Sequence, residues 1–144
     1  MTFGKSKSAG FLANHMARLF ARELQAALKP LGIAPAQFMT LLELWEENAL
    51  TQKQLVERLD VEQATMANTL RRMERDGLVV HRSHPKDRRA QIICLTVKAM
   101  QIERAAKQAS GQVNGKALEG IEDVPAFLAQ ISRVIANFQD DTDR

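Results

Sequence analysis

The sequence predicts a mainly α-helical chain with one small β-hairpin, an α+β arrangement in which long helices flank a compact middle. Three observations predict it. Apolar residues recur at helical spacing through both ends of the chain. Between Leu50 and Gly77 a capping signal, an apolar face, a short turn, a second apolar face and a glycine follow one another, as two joined helices require. From Leu78 to Leu95 two Val- and Ile-rich runs enclose a polar, basic tip.

Met1 to Ser8 is small, polar and basic, and reads as an arm. The first helix is expected from Ala9 to Lys29, with Leu12, Met16, Leu19, Phe20, Leu24, Ala27 and Leu28 as its apolar stripe. Pro30, Gly32 and Pro35 interrupt that pattern. A second helix over Gln37 to Glu47 turns Phe38, Leu41, Leu42 and Trp45 inward. Trp45, the only tryptophan, reads as core between this helix and the unit that follows, with a ligand wall as the minor alternative. Residues 1–34 thus form one region, 35–96 a second and 97–144 a third.

In the middle region, Thr51 and Gln54 have capping-box spacing, and Leu55, Val56 and Leu59 give the short helix one apolar face. Asp60 and Val61 make the turn. The next helix, Glu62 to Asp76, buries Met66, Leu70 and Met73 with Thr69 beside them, and Gly77 ends it. Its other side carries Ala64, Asn68, Arg71 and Arg75, flanked by Thr65, Ala67 and Arg72. Short side chains first and arginines later suit a helix whose start approaches base edges and whose end meets phosphates. A solvated basic face is the plain alternative. The hairpin tips the balance. Its strands are expected at Leu78 to Arg82 and Ala90 to Leu95, around the tip SHPKDRR. Val79 to Arg89 holds four Arg or Lys, two His and a single acid, Asp87. Like charges so close together repel, so this finger does more for a polyanion than for the fold. Helix-turn-helix plus finger is a winged helix, with its second helix directed to a DNA major groove.

Thr96 caps the following helix, which is expected to run to about Leu118 and to weaken at Gly111 and Gly115. Glu119 to Asp123 breaks the chain, and Pro125 suits the first turn of a last helix striped by Leu128, Ile131, Val134, Ile135 and Phe138. The first helix and the last two carry more apolar surface than one small winged helix can cover, so two chains are expected to pair. A two-fold dimer also spaces its reading helices by about 34 Å, one turn of DNA.

The order LTQKQLVERLDV, RMERDGLV and HRSHPKDRRAQIICLT resembles the multiple-antibiotic-resistance regulator (MarR) family, including its SlyA-like branch. The most specific match is Asp87-Arg88-Arg89-Ala90 followed by Leu95-Thr96. The resemblance covers nearly the whole chain. It implies a winged-helix transcription regulator, with N- and C-terminal dimerisation helices, that binds pseudo-palindromic double-stranded DNA as a homodimer. In many relatives a small, often phenolic, ligand or an oxidant weakens DNA binding. The family's cavity lies between dimer helices and DNA-binding unit, where His15, Leu19, Met39, Leu42 and Trp45 are the candidates here.

For the DNA, Gln63, Thr65 and Asn68 are candidate base readers, and Ala64 and Ala67 can touch thymine methyls. Arg71, Arg72 and Arg75 suit phosphates, with Arg71 also within range of a guanine and Arg72 alternatively paired to Glu62 or Asp76. Motif matching makes Arg89 the minor-groove residue, its guanidinium oriented by Asp87, with Arg88 and Lys86 on phosphate. Glu62 departs from the family, where Ser commonly opens this helix; it is a weaker cap and brings a negative charge to the groove.

Composition limits the rest. The 144 residues are 45% hydrophobic and carry a net charge of only +3, so the placement of charge matters more than its total. Asp140, Asp141 and Asp143 make an acidic tail away from the basic face. One cysteine, Cys94 in the apolar run IICL, cannot form an internal disulfide, suits the cytoplasm and reads as a buried, inert thiol. No apolar run is long enough for a membrane, and Lys5 and Lys7 precede FLANHMARLF, too polar for a secretory signal. His81 and His84 lack the further ligands of a metal set, no nucleophile–base set is visible, and no cofactor motif occurs, so an enzyme is disfavoured. The competing class is a winged-helix interaction module that dimerises without binding DNA.

Overall fold

The computed structural model describes residues 4–87 and 89–142, with side chains through 140. Arg88, Asp143 and the side chain of Asp141 lie outside that set. The chain packs as two compact units, Met1–Val113 and Asn114–Arg144. The first holds the hydrophobic core.

Helix α1 spans Ala9–Leu28, opened by Ser8, whose hydroxyl accepts from the Phe11 N–H at 3.1 Å. Its stripe divides in two. Leu24 and Leu28 are buried, whereas Phe11, Leu12, Met16 and Leu19 are exposed. Helix α2 spans Pro35–Glu46, so it starts two residues earlier than the periodicity suggested: proline suits the first turn, where its missing N–H costs nothing. Phe38, Leu41 and Leu44 form its buried face, with Leu42 and Trp45 half-buried.

Strand β1 (Leu50–Thr51) leads into α3 (Gln52–Leu59), and α4 spans Gln63–Arg75. The capping box forms: Thr51 Oγ1 accepts from Gln54 N–H at 3.1 Å, and Gln54 Oε1 accepts from Thr51 N–H at 2.8 Å. Asp60 closes α3 in the left-handed region, φ 52°, which Asp tolerates better than most residues. Gly77, φ 75°, ends α4 with the Leu78 N–H donating to the Met73 carbonyl at 2.8 Å, a Schellman closure. That closure points the chain straight into β2 (Val79–Ser83), which pairs antiparallel with β3 (Gln91–Leu95) from Val79↔Leu95 to Ser83↔Gln91. Each strand starts one residue later than expected.

Strand β1 joins the far edge of β3, so the sheet order is β1-β3-β2. The sequence reading missed β1 because two residues carry no period. A buried face of α4 (Met66, Leu70, Met73) closes the core with Leu55, Leu78, Val79 and Ile93. Truncating any of these leucines to alanine belongs to the class that costs about 2–5 kcal/mol.

Helices α5 (Val97–Gln101) and α6 (Glu103–Ala117) replace the single helix expected, and the interruption falls at Ile102, not at Gly111 or Gly115. Trp45 supplies a reason. Its indole N–H donates to the Ala99 carbonyl at 3.1 Å, the acceptor that residue 103 would use in an unbroken α-helix. Gly111 and Gly115 cost helix propensity but lie inside α6 without interrupting it. In the second unit, Asp123 caps α7 (Val124–Thr142) by accepting from the Ala126 N–H at 3.0 Å, with Pro125 in the first turn. Leu128, Val134 and Ile135 on this helix are exposed.

Two left-handed positions give opposite expectations. Gly77→Ala should lower stability by about 1 kcal/mol, because a Cβ is disfavoured at that φ. Ala49, φ 74°, already pays that cost, so Ala49→Gly should raise stability by roughly 0.5–1 kcal/mol. Urea unfolding of both variants beside wild type checks the two signs.

Candidate nucleic-acid interface

The outward face of α4 is dictated by its inward one. With Met66, Leu70 and Met73 buried, the residues between them must face away. Gln63, Ala64, Thr65, Ala67, Arg71, Arg72 and Arg75 are exposed, and Asn68 is half-buried. No residue expected on this face is packed inside. Glu62 takes the N-cap position, with extended backbone and no side-chain capping bond. Thr69 Oγ1 bonds back to the Thr65 carbonyl at 3.0 Å, which satisfies its hydroxyl beside the core.

Asn68 and Arg71 are linked: the Arg71 guanidinium donates to Asn68 Oδ1. One turn of helix separates them, so the pair can present an amide and a guanidinium as a unit. The alternative pairing of Arg72 with Glu62 or Asp76 is not among the ion pairs of the described residues. Asp76 takes Arg75 instead, Nε to Oδ1 at 3.0 Å, because Arg75 is its chain neighbour and Arg72 lies a turn back. Asp76 Oδ2 also accepts from Gln37 Nε2 at 3.0 Å. Gln37 is only 5% exposed, and its Oε1 accepts from the Ala34 N–H at 3.0 Å. One buried amide thus caps the start of α2 and grips the end of α4. The Lys98 ammonium adds a bond to the Asp76 carbonyl at 2.7 Å. Sequence reasoning missed Gln37, because nothing local signals a contact 39 residues away.

At the wing, Lys86, Asp87 and Arg89 are exposed, and Arg88 lies outside the described residues. Asp87 was expected to orient Arg89 through its guanidinium. Its carboxylate instead accepts from the Arg89 backbone N–H at 3.0 Å, the Asx turn that this short side chain favours. His84 Nδ1 accepts from the Lys86 N–H at 3.0 Å, so both bonds shape the tip and leave the cationic heads outward. His81 Nδ1 lies 3.3 Å from Glu74 Oε2 without hydrogen-bond geometry, so the nitrogen is buried without a hydrogen-bond partner. Arg89 lines an open groove of about 380 Å³ with Thr51, Gln52, Lys53, His81 and Gln91.

The remaining candidates are dispersed. His15 and Leu19 lie exposed on α1, His15 edge-on to Phe11 with ring centroids 6.3 Å apart. Met39 is exposed and Leu42 half-buried on α2. Trp45 packs edge-on against Phe38 at 6.0 Å, with the Lys107 ammonium 5.7 Å from its ring. Cys94 is half-buried in β3 opposite Val80, so its enclosure is less complete than expected. Among the described residues no helix is long and apolar enough to cross a membrane.

A family profile of MarR regulators matches residues 33–90, from just before α2 through the wing tip. The organic hydroperoxide resistance transcriptional regulator of Bacillus subtilis (strain 168) is 30% identical over 114 residues, covering 79% of this chain and 78% of that protein. The chain belongs to the MarR family. It is a MarR-family transcriptional regulator with that family's winged-helix DNA-binding fold, and its regulator relatives are not enzymes. Reduced AbfR, solved bound to DNA, is 28% identical, with 89% of this chain and 90% of that one superposed at a TM-score of 0.75. A SlyA-like transcription regulator from Listeria monocytogenes superposes at 0.87 over 94% of this chain and 91% of its own, with 21% identity. That second likeness concerns the MarR fold alone.

The Arg75 guanidinium and then the Gln37 amide hold the Asp76 carboxyl below the usual carboxylate range. A lowered folded-state value stabilises the fold above the unfolded-chain value, about 3.9, and that contribution is lost as pH falls through the lowered one. Asp76→Asn should therefore be less stable than wild type at neutral pH, by roughly 1 kcal/mol. The gap should narrow as pH falls below the unfolded-chain value and close once it has passed the lowered folded-state one. Urea midpoints of both proteins across that range supply the check; a constant gap would remove the carboxylate's charge from the account.

Proposed function

We propose that two copies of this chain bind a pseudo-palindromic operator, each laying α4 in a major groove and its wing along the neighbouring minor groove. The observation that carries this reading is the exposure of Gln63, Ala64, Thr65, Ala67, Arg71 and Arg72 on α4, opposite its buried face, together with that of the wing cations Lys86 and Arg89. In this arrangement Gln63, Thr65 and Asn68 read base edges, Ala64 and Ala67 meet thymine methyls, and Arg71 and Arg72 hold phosphates. Arg89 enters the minor groove, and Lys86 and Arg88 flank it on the backbone. The DNA-bound state of reduced AbfR, at 28% identity, supports the same use of the fold here.

Exposed apolar side chains support the pairing. Phe11, Leu12, Met16 and Leu19 on α1, and separately Leu128, Val134 and Ile135 on α7, are between 39% and 50% exposed. A second copy burying these stripes recovers roughly 25 cal/mol for each Å² covered. The same dimer provides a place for an effector. His15, Leu19, Met39, Leu42 and Trp45 lie on exposed or half-buried surface of the protomer, and they enclose a small molecule once the second chain covers them. A cytoplasmic location accords with this role.

Selection from random duplex DNA, followed by binding across a salt series, tests the reading. Recovered sites should carry two half-sites about one helical turn apart. Sites without symmetry would overturn the dimer, and no enrichment would overturn sequence reading altogether. Arg89→Ala should lower affinity and flatten the dependence on salt by about one unit; identical binding at every salt concentration would remove the wing. Asn68→Ala, which also releases Arg71, should change preference at one or two base positions. A uniform loss on all sequences would make the pair a backbone contact.

A further inference from the structure

Not every cation on the α4 face is equally available. Arg71 and Arg72 have no acidic side chain as ion-pair partner among the described contacts, whereas Arg75 lies against Asp76, Nε to Oδ1 at 3.0 Å and Nη2 to Oδ2 at 3.4 Å. An exposed pair of this kind is ordinarily weak, and a phosphate competes with it easily. Here the acid cannot follow the arginine out. Asp76 Oδ2 is held by Gln37 Nε2 at 3.0 Å. Gln37 itself is buried at 5% exposure and fixed at its other end by the Ala34 N–H. The Lys98 ammonium holds the Asp76 carbonyl, at 2.7 Å. The carboxylate is therefore anchored in the fold, at the last turn of the helix that meets DNA.

We infer that Asp76, fixed by Gln37, is a specificity-determining residue that keeps Arg75 from acting as a phosphate contact. A guanidinium paired to a fixed carboxylate presents almost no net charge to the duplex and releases few counterions. Phosphate contacts add affinity for every sequence alike, so withholding one lowers background binding without touching the base-reading residues at the start of α4. Asp76 acts through Arg75 and does not touch DNA. Arg75 thereby leaves the phosphate-gripping set that its position in the sequence suggested, and Arg71 and Arg72 remain in it. The low proton affinity of the Asp76 carboxyl is consistent with its staying ionised at the interface.

The inference rests on the DNA-binding reading above, and the experiment separates the two. Binding of wild type, Arg75→Ala, Asp76→Asn and the double variant is measured against salt on a selected operator duplex and on a scrambled duplex of equal length. Wild type and Arg75→Ala should show the same salt slope. Asp76→Asn keeps an oxygen for the Gln37 amide and frees Arg75. Its slope should steepen by about 0.9 on both duplexes, a further loss of roughly 3.5-fold in affinity across a fourfold rise in salt. Its preference for operator over scrambled DNA should fall, and the double variant should return to the wild-type slope. A shallower slope for Arg75→Ala alone, or an unchanged one for Asp76→Asn, overturns the inference while the DNA-binding reading stands. Arg75→Ala alters only an exposed side chain, so its result does not depend on how far Asp76→Asn weakens the fold. Failure of wild type to bind either duplex overturns both.

Discussion

The burial of one face of α4 is the constraint on which the rest depends. Met66, Leu70 and Met73 are enclosed, and a helix with one face fixed has no freedom to choose the other. The same helix sets the wing. Its Schellman closure at Gly77 delivers Leu78 and Val79 into the core, and β2 starts there with its register to β3 already determined by which residues face inward. Reading helix and finger are therefore placed by one apolar surface and one turn. The two-residue strand β1 completes the arrangement by tying the start of α3 to β3.

Polar side chains hold the joints that apolar packing leaves open. Gln37 joins the start of α2 to the end of α4, and Trp45 joins α2 to the carbonyl of Ala99. Both are cases in which a donor in a half-buried or buried position must find an acceptor, because an unsatisfied polar group away from water costs more than a typical bond contributes. Their consequences differ. Gln37 fixes a carboxylate and through it an arginine at the interface, whereas Trp45 competes for a helical acceptor and marks where α5 gives way to α6. Asn48 serves a third joint: its Oδ1 accepts from the N–H groups of Ala49 and Leu95, which pins the left-handed residue before β1 against the end of β3.

The charge distribution follows the same division of labour. Arg58 is spent within the fold, on Glu47 at 2.5 Å and Glu43 at 3.8 Å, and Lys107 pairs with Glu103 one turn away. Among the described residues, Lys86 and Arg89 at the wing, and Arg71 and Arg72 on α4, have no such acid. With a net charge of only +3, placement matters more than total: Arg58 and Lys107 are neutralised locally, whereas Arg71, Arg72, Lys86 and Arg89 are exposed on α4 and the wing.

Much of the fold was legible in the sequence because its signals are local. Thr51 with Gln54, Gly77 after Met73, and Thr96 before Ala99 are capping relations within five residues, and each forms where its spacing predicted it. The α4 periodicity separated Met66, Leu70 and Met73 from the arginines for the same reason: a helix of known pitch fixes which side chains share a face. The relations that the sequence left open span many residues or concern choices between equals. Nothing near Gln37 announces Asp76, nothing in Trp45 names the Ala99 carbonyl, and three arginines at similar spacing do not say which of them meets the acid. The sequence by itself determined the elements, their order and the sign of their faces, since these arise from short-range sterics and hydrophobic period. Only the tertiary structure decided which polar groups satisfy one another and which cations remain unpaired, because those outcomes depend on distances that exist once the core has closed.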